Sequence, residues 1–296
     1  MILPENWQRV RLVLIRSPRS PHSFALNEAM EFLLYSFRKL GCNVDQAENK
    51  LIANGPNIIF CASLLKRNTA FSLPHNCIIF NSEQIESGSP FDSDDYRGLL
   101  KRFAVWDYSA RNLESLRTFV PPDRLHYVPV GYVPELTRIV PAAREDIDVL
   151  FYGSLNDRRR KILAELSAAG LAVHYVYGVY GTERDQLIAR SKVVLNVHFY
   201  PTKIFEIIRV SYLLANRKAV VSEFSPDTEI IPELRDAIAL AGYEHLVETC
   251  RSLVYDIPRR EDLARRGFEC FSRLTFHQEL IEAIKSTRYE QNDRPE

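Results

Sequence analysis

Residues 198–209, HFYPTKIFEIIR, place an imidazole, a lysine, a glutamate and an arginine directly behind the apolar run VVLNV. A strand feeding an ordinary helix tends to end in Gly, Asn or Asp, with a Ser or Thr cap and acidic residues in the first turn. Here Thr202 is the expected cap and Lys203 enters the first turn, where the helix dipole favours an anion. The pattern recurs after DVLFYG, where Asn156 or Asp157 is the expected cap and Arg158, Arg159, Arg160 and Lys161 follow. It is selective, because in GTERDQLIARSK the expected cap Thr182 is followed by Glu183 in the normal way. Two cationic helix starts, each beyond a strand, form a receptacle suited to a diphosphate. The competing reading is a solvated basic face.

Spacing adds to this reading. Glu206 follows Lys203 by three residues and Arg209 follows Glu206 by three, so a helix places them near one face. A glutamate one turn in could accept ribose hydroxyls; its alternative is a surface pair with Arg209. His198 reads equally as a core histidine or a phosphate donor. In the SPRSPHS loop, His22 could take a proton from a hydroxyl as a neutral imidazole. Asp107, in VWDYS, competes for that role, with helix capping as its structural alternative, and Trp106 beside it reads as core. Asp92-Ser93-Asp94 has the letters of a metal-binding Asp-x-Asp, yet it follows GSPF and reads as the cap of DYRGLLKRF.

The elements that must position these residues alternate along the chain. Strands are expected at 10–15, 57–63, 76–81, 103–108 and 125–130, then at 148–153, 172–178, 192–199 and 218–223, with amphipathic helices between them. This alternation predicts α/β architecture with parallel sheets covered on both faces. The 296 residues suggest two domains, 1–138 and 139–296, joined within GYVPELTRIVPAARED, with HQELIEAIKSTRY as a terminal helix packing back on the first. Lys plus Arg equal Asp plus Glu at 38 each, which gives no support to a nucleic-acid partner. Five scattered cysteines, no signal-like apolar run and no membrane-length segment point to a reduced, cytoplasmic protein, for which only peripheral membrane contact is open. No Gly-x-Gly-x-x-Gly turn supports a dinucleotide enzyme.

The strand VVLNV, the charged stretch behind it and the strand AVVSE resemble the nucleotide-sugar domain of GT-B glycosyltransferases, particularly short bacterial members of the group 1 type. DVLFYGSLNDRR resembles that domain's first strand and glycine turn; IIFNSEQ, VWDYSARN and VPVGYVP are similar to segments of the same proteins, so the likeness spans most of residues 57–226. It implies two Rossmann-like doubly wound domains facing across a cleft, the first for the acceptor and the second for the donor. It implies sugar transfer from a nucleotide-diphosphate-sugar to a hydroxyl of a glycan, lipid-linked sugar or protein, in bacterial glycan or glycoconjugate synthesis, without cofactor or metal. The donor set it implies is Gly153, Ser154, Arg158, Lys161, His198, Tyr200, Thr202, Lys203, Glu206 and Arg209, with His22 or Asp107 as base. Retaining members usually carry two glutamates eight apart, whereas here His198 stands eight before Glu206, Ser211 or Tyr212 lies near the second position, and Asn216 replaces the turn glycine. The alternative function is an inactive nucleotide-sugar sensor or partner subunit.

Overall fold

The computed structural model describes residues 3–17, 21–66, 69–70, 72–85, 89 and 91–289, so part of the SPRSPHS and GSPF segments lies outside the described residues. The chain divides into two compact units, Met1–Val130 with Phe276–Glu296, and Gly131–Thr275.

In the first unit, β1 (Arg9–Leu14), β2 (Asn43–Glu48), β3 (Asn57–Phe60), β4 (Cys77–Asn81), β5 (Ala104–Asp107) and β6 (Leu125–Tyr127) form a parallel sheet in the order β2-β1-β3-β4-β5-β6. Every residue of β3, β4 and β5 is buried, which is why these strands read as unbroken apolar runs. Strand β2 was not expected. It lies at the sheet edge with only Val44 buried, so NVDQAE carries little apolar signal.

Helices α1 (Asn27–Lys39), α2 (Asp94–Arg102) and α3 (Ala110–Leu116) belong to the same unit. Ser93 caps α2 by accepting from Tyr96 N, and Asp92 is bonded to Arg97, so the Asp-x-Asp letters form a helix start. Trp106 is fully buried and stacks on Trp7 at 5.6 Å, while its Nε1 donates to Thr287 Oγ1 at 2.8 Å.

The second unit repeats the plan with β7 (Ile147–Tyr152), β8 (Val173–Val176), β9 (Ser191–Asn196), β10 (Ala219–Glu223) and β11 (Ala239–Ala241), all parallel, in the order β11-β10-β9-β7-β8. Strand β11, read as ALA, is too short and too small to announce itself in sequence. Around the sheet run α4 (Asp157–Ala168), α5 (Gly181–Arg190), α6 (Ile207–Ala215), α7 (Leu246–Tyr255) and α8 (Ile257–Phe271). Val149, Phe151, Ile162, Leu166, Val193, Leu195 and Val221 share its core. The chain leaves β7 toward β8 on one side and returns as β9 on the other. Ligands of such sheets bind beyond the carboxyl ends at that reversal. The last helix, α9 (His277–Ser286), belongs to the first unit, where Ser286 Oγ lies 3.0 Å from His126 Nδ1.

Two local expectations are corrected. Helix α5 begins at Gly181 with no side-chain cap, so Thr182 lies inside its first turn. Asn216 does not take the left-handed conformation; its φ is −107°, and Arg217 adopts φ 53° instead. The reason is that Asn216 is held by its side chain, whose Oδ1 accepts from Arg138 N (2.9 Å) and Ile139 N (2.8 Å) and whose Nδ2 donates to Leu136 O and Tyr212 O, both at 2.8 Å. This one amide fastens the 136–139 segment to the end of α6. Asn216→Ala should therefore lower stability by about 2–4 kcal/mol, since each group left buried and unpaired costs about 1–3 kcal/mol. Urea unfolding with an unchanged m-value would confirm it; a loss under about 1 kcal/mol would show that water replaces the clamp.

Candidate functional site

At the carboxyl ends of β7, β9 and β10, side chains of opposite charge crowd together. Asn156 caps α4 by accepting from Arg159 N at 3.0 Å, and its Nδ2 donates to Phe199 O at 3.1 Å, which ties the helix start to the loop after β9. Arg159, only 3% exposed, donates through Nε (2.9 Å) and Nη2 to Val197 O and through Nη1 to Ser154 O (2.8 Å). Its guanidinium also lies 5.3 Å from the Phe151 ring centre and 5.0 Å from that of Phe199. Burial, and then Arg209, pull its pKa down to about 9 although Glu206 and Glu223 oppose them.

Arg158 was expected to await a phosphate. Instead its Nη2 donates to Glu223 Oε1 at 2.6 Å and its Nη1 to His198 O at 3.3 Å, while the guanidinium covers the Tyr243 ring at 4.3 Å. Glu223, 2% exposed, also accepts from His198 N at 3.0 Å. Arg160 and Lys161 point outward, 60% and 66% exposed, beside Asp157 and Glu165. The cations of this helix start thus answer strand-end carbonyls and nearby carboxylates of the chain itself, which explains the unusual charge without requiring a ligand at each one.

The stretch behind β9 departs from expectation in its backbone. No helix begins at Thr202: α6 starts at Ile207 with Glu206 at the N-cap position, and residues 197–206 form a loop in which Lys203 takes φ 51°. Thr202 is buried without capping α6, and Tyr200 packs edge-on against Phe199 with ring centres 4.9 Å apart. A loop lets Lys203 and Glu206 approach one region without helical spacing. Lys203 Nζ lies 3.4 Å from Ser225 Oγ, and among the described residues no carboxylate lies within 4 Å of it.

Glu206 Oε2 accepts from Asn196 Nδ2 at 2.9 Å and lies 3.0 Å from His198 Nδ1; Oε1 is 3.8 Å from Arg159 Nη2. Burial would raise its pKa, but His198, Arg209 and the Asn196 amide prevail and hold it at about 2. The surface-pair reading with Arg209 also gives way, because Arg209 Nη1 donates to Asn196 Oδ1 at 3.0 Å instead. His198 is fully buried, its Nε2 3.2 Å from Thr228 Oγ1.

Gly153 is required for a reason the sequence did not reveal. Its φ is 131°, and a Cβ there would come within 2.8 Å of Arg209 Nη2. The glycine therefore makes room for a guanidinium of the protein. Asn196, Ser222, Glu223, Ser225 and Thr228 were missed; Asn196 and Glu223 are polar letters at the ends of apolar strands, a signal that was available.

In the first unit, His22 is exposed and Asp107 is fully buried. Asp107 Oδ2 accepts from Asn81 Nδ2 (2.6 Å) and Asn112 Nδ2 (3.0 Å), and Oδ1 accepts from Ser109 N (2.8 Å). Burial nevertheless pushes its pKa up to about 7, against those donors. These contacts join the end of β5 to the start of α3 and to the end of β4. Among the described residues no group of three His, Cys, Asp or Glu side chains could hold a metal ion, no helix is long and apolar enough to cross a membrane, and the five cysteines are unpaired.

Arg158→Ala should destabilise the protein by about 1–3 kcal/mol, since it leaves Glu223 buried without its partner; the exposure of Arg158 keeps this below the full buried-pair figure. Arg158→Ala/Glu223→Gln should recover at least half of that loss in chemical denaturation. No recovery would mean that Arg158 acts through its packing on Tyr243.

No protein-family profile matches the chain. It is 25% identical over 242 residues to uncharacterized protein L140 of Acanthamoeba polyphaga mimivirus, covering 79% of this chain and 72% of that protein. It is 26% identical over 188 residues to uncharacterized protein L137 of the same virus, but spans only 25% of that protein's length. Among solved structures it resembles Anabaena HepE bound to UDP and glucose (TM-score 0.63, 11% identity, 95% of this chain and 100% of that one). It also resembles WaaG, a glycosyltransferase involved in lipopolysaccharide biosynthesis (TM-score 0.59, 12% identity, 93% and 99%), and AviGT4, a glycosyltransferase involved in avilamycin A biosynthesis (TM-score 0.58, 14% identity, 95% and 98%). Two α/β units with parallel sheets of six and five strands, together with these likenesses, show that the chain has a GT-B fold.

Proposed function

We propose that the protein is a glycosyltransferase that takes a sugar from a nucleotide-diphosphate-sugar, with the donor bound at the β7/β9 reversal of the second unit. The observation that carries this reading is a surplus of positive charge: Arg158, Arg159, Lys203 and Arg209 gather around two carboxylates, Glu206 and Glu223. A diphosphate supplies the missing negative charge. Burial, and then the neighbouring Arg209, depress the pKa of Arg159, and an anion beside it would oppose both.

In this reading Lys203 and Arg209 meet the phosphates, since neither has a carboxylate within 4 Å among the described residues. Glu206 accepts from the ribose: its Oε2 is taken by Asn196, while Oε1 receives no hydrogen bond from the described residues. Fixed cations beside the leaving diphosphate stabilise the charge that develops on it as the glycosidic bond breaks. The base is assigned to His22, because Asp107 is enclosed by its own donors. The UDP complexes of HepE support a nucleotide-sugar as the donor class.

Thermal melting with UDP, GDP, ADP and dTDP tests the proposal. One of them should raise the melting temperature, because a ligand at 100 times its dissociation constant adds about 2.7 kcal/mol to the folded state. Lys203→Ala should weaken that ligand about ten- to a hundredfold, the equivalent of about 1.5–3 kcal/mol for a charged hydrogen bond. No stabilisation by any of the four would contradict the donor site.

A further inference from the structure

We propose that His198 is a positioning residue at the centre of a one-way hydrogen-bond relay that links Lys203 to Glu206. The relay runs through side chains on two segments of the second unit, the loop 197–206 and the loop that follows β10. Lys203 Nζ is 3.4 Å from Ser225 Oγ, Ser225 Oγ is 3.2 Å from Thr228 Oγ1, Thr228 Oγ1 is 3.2 Å from His198 Nε2, and His198 Nδ1 is 3.0 Å from Glu206 Oε2. His198 is fully buried and Thr228 is 3% exposed, so neither presents a surface to a ligand.

The direction of the relay follows from what its ends can do. An ammonium only donates and an ionised carboxylate only accepts. If Lys203 donates to Ser225, the Ser225 hydroxyl turns its proton to Thr228 Oγ1. That oxygen already accepts from Ser225 N at 3.1 Å, so both its lone pairs are filled and its own proton goes to His198 Nε2. Nε2 as acceptor leaves the ring proton on Nδ1, facing Glu206. Nδ1 lies off the line of an ideal hydrogen bond and has no other partner, which makes the carboxylate its natural acceptor. Each side-chain proton of the relay is donated once and in one direction, and the cation and anion stand at opposite ends. A chain of this polarity is mutually reinforcing, and it fixes two ligand-facing groups relative to each other across a loop without regular structure.

This proposal rests on the reading of Lys203 and Glu206 as donor-binding groups, yet the tautomer is a property of the free protein. Long-range proton–nitrogen NMR of the ligand-free chain should find His198 neutral with its proton on Nδ1, and Thr228→Val should shift its Nε2 resonance. A proton on Nε2, or an imidazolium at neutral pH, would overturn the relay whatever the protein binds. Thr228→Val should also weaken UDP about three- to tenfold in titration calorimetry, as expected for one neutral hydrogen bond, while Thr228→Ser restores wild-type affinity. In a Glu206→Gln background the Thr228→Val effect should fall below twofold; an equal loss in both backgrounds would overturn the coupling. Failure of the wild type to bind any of UDP, GDP, ADP and dTDP would count against the donor reading alone, with the tautomer still deciding the relay; where another of the four binds in place of UDP, it serves as the probe in the same cycle.

Discussion

The second unit depends on one buried guanidinium. Arg159 extends from the first turn of α4 between the rings of Phe151 and Phe199 and donates to Val197 O and Ser154 O. Those carbonyls lie just past β9 and β7, the strands that flank the reversal of the sheet. Without that cation, strand-end carbonyls in a closed, apolar setting would lack donors, and a buried polar group without a partner costs about 1–3 kcal/mol. The same guanidinium brings positive charge into the place where the loop 197–206 must fold. Everything that follows is an answer to it.

Glu206 approaches from one side and Glu223 neutralises Arg158 on the other. Arg209 lies against Gly153, whose φ of 131° is strained for any other residue and where a Cβ would approach Arg209 Nη2 to 2.8 Å and displace the guanidinium. The resulting cluster is well ordered by hydrogen bonds but unbalanced in charge. Low dielectric magnifies that imbalance, and on the proposed reading this is the property that would turn a structural solution into a site for an anion. On that proposal stability and function are not separable at this end of the sheet: the side chains that satisfy the loops are neighbours of those proposed to meet the ligand.

Much of the fold was legible in the sequence because parallel strands buried on both faces are written in Val, Ile and Phe, as in NIIF and CIIFN. Strands β2 and β11 were not, one being polar at an edge and the other three small residues. The site was legible as a set of charges but not as a set of partners. Lys203 and Glu206 were recognisable by type, yet the helix start assumed for Thr202 does not exist, since φ 51° at Lys203 belongs to a turn. Arg158 was recognisable as anomalous, while its partner Glu223 lies 65 residues away and is brought near only by the register of β10 beside β9. Local pattern reports which groups carry charge; tertiary pairing decides which of them are already answered.

The central claim is that Glu206 is held ionised for a ribose and not only for the loop. Its most direct test is a double cycle of binding affinities, with UDP and 2'-deoxy-UDP measured against wild type and Glu206→Gln. Glutamine keeps the shape but loses the charge that strengthens bonds from ribose hydroxyls. The account predicts a greater loss for UDP than for the deoxy analogue, which lacks one of those hydroxyls. Equal losses for the two ligands would contradict it and leave Glu206 as a structural partner of His198 and Asn196.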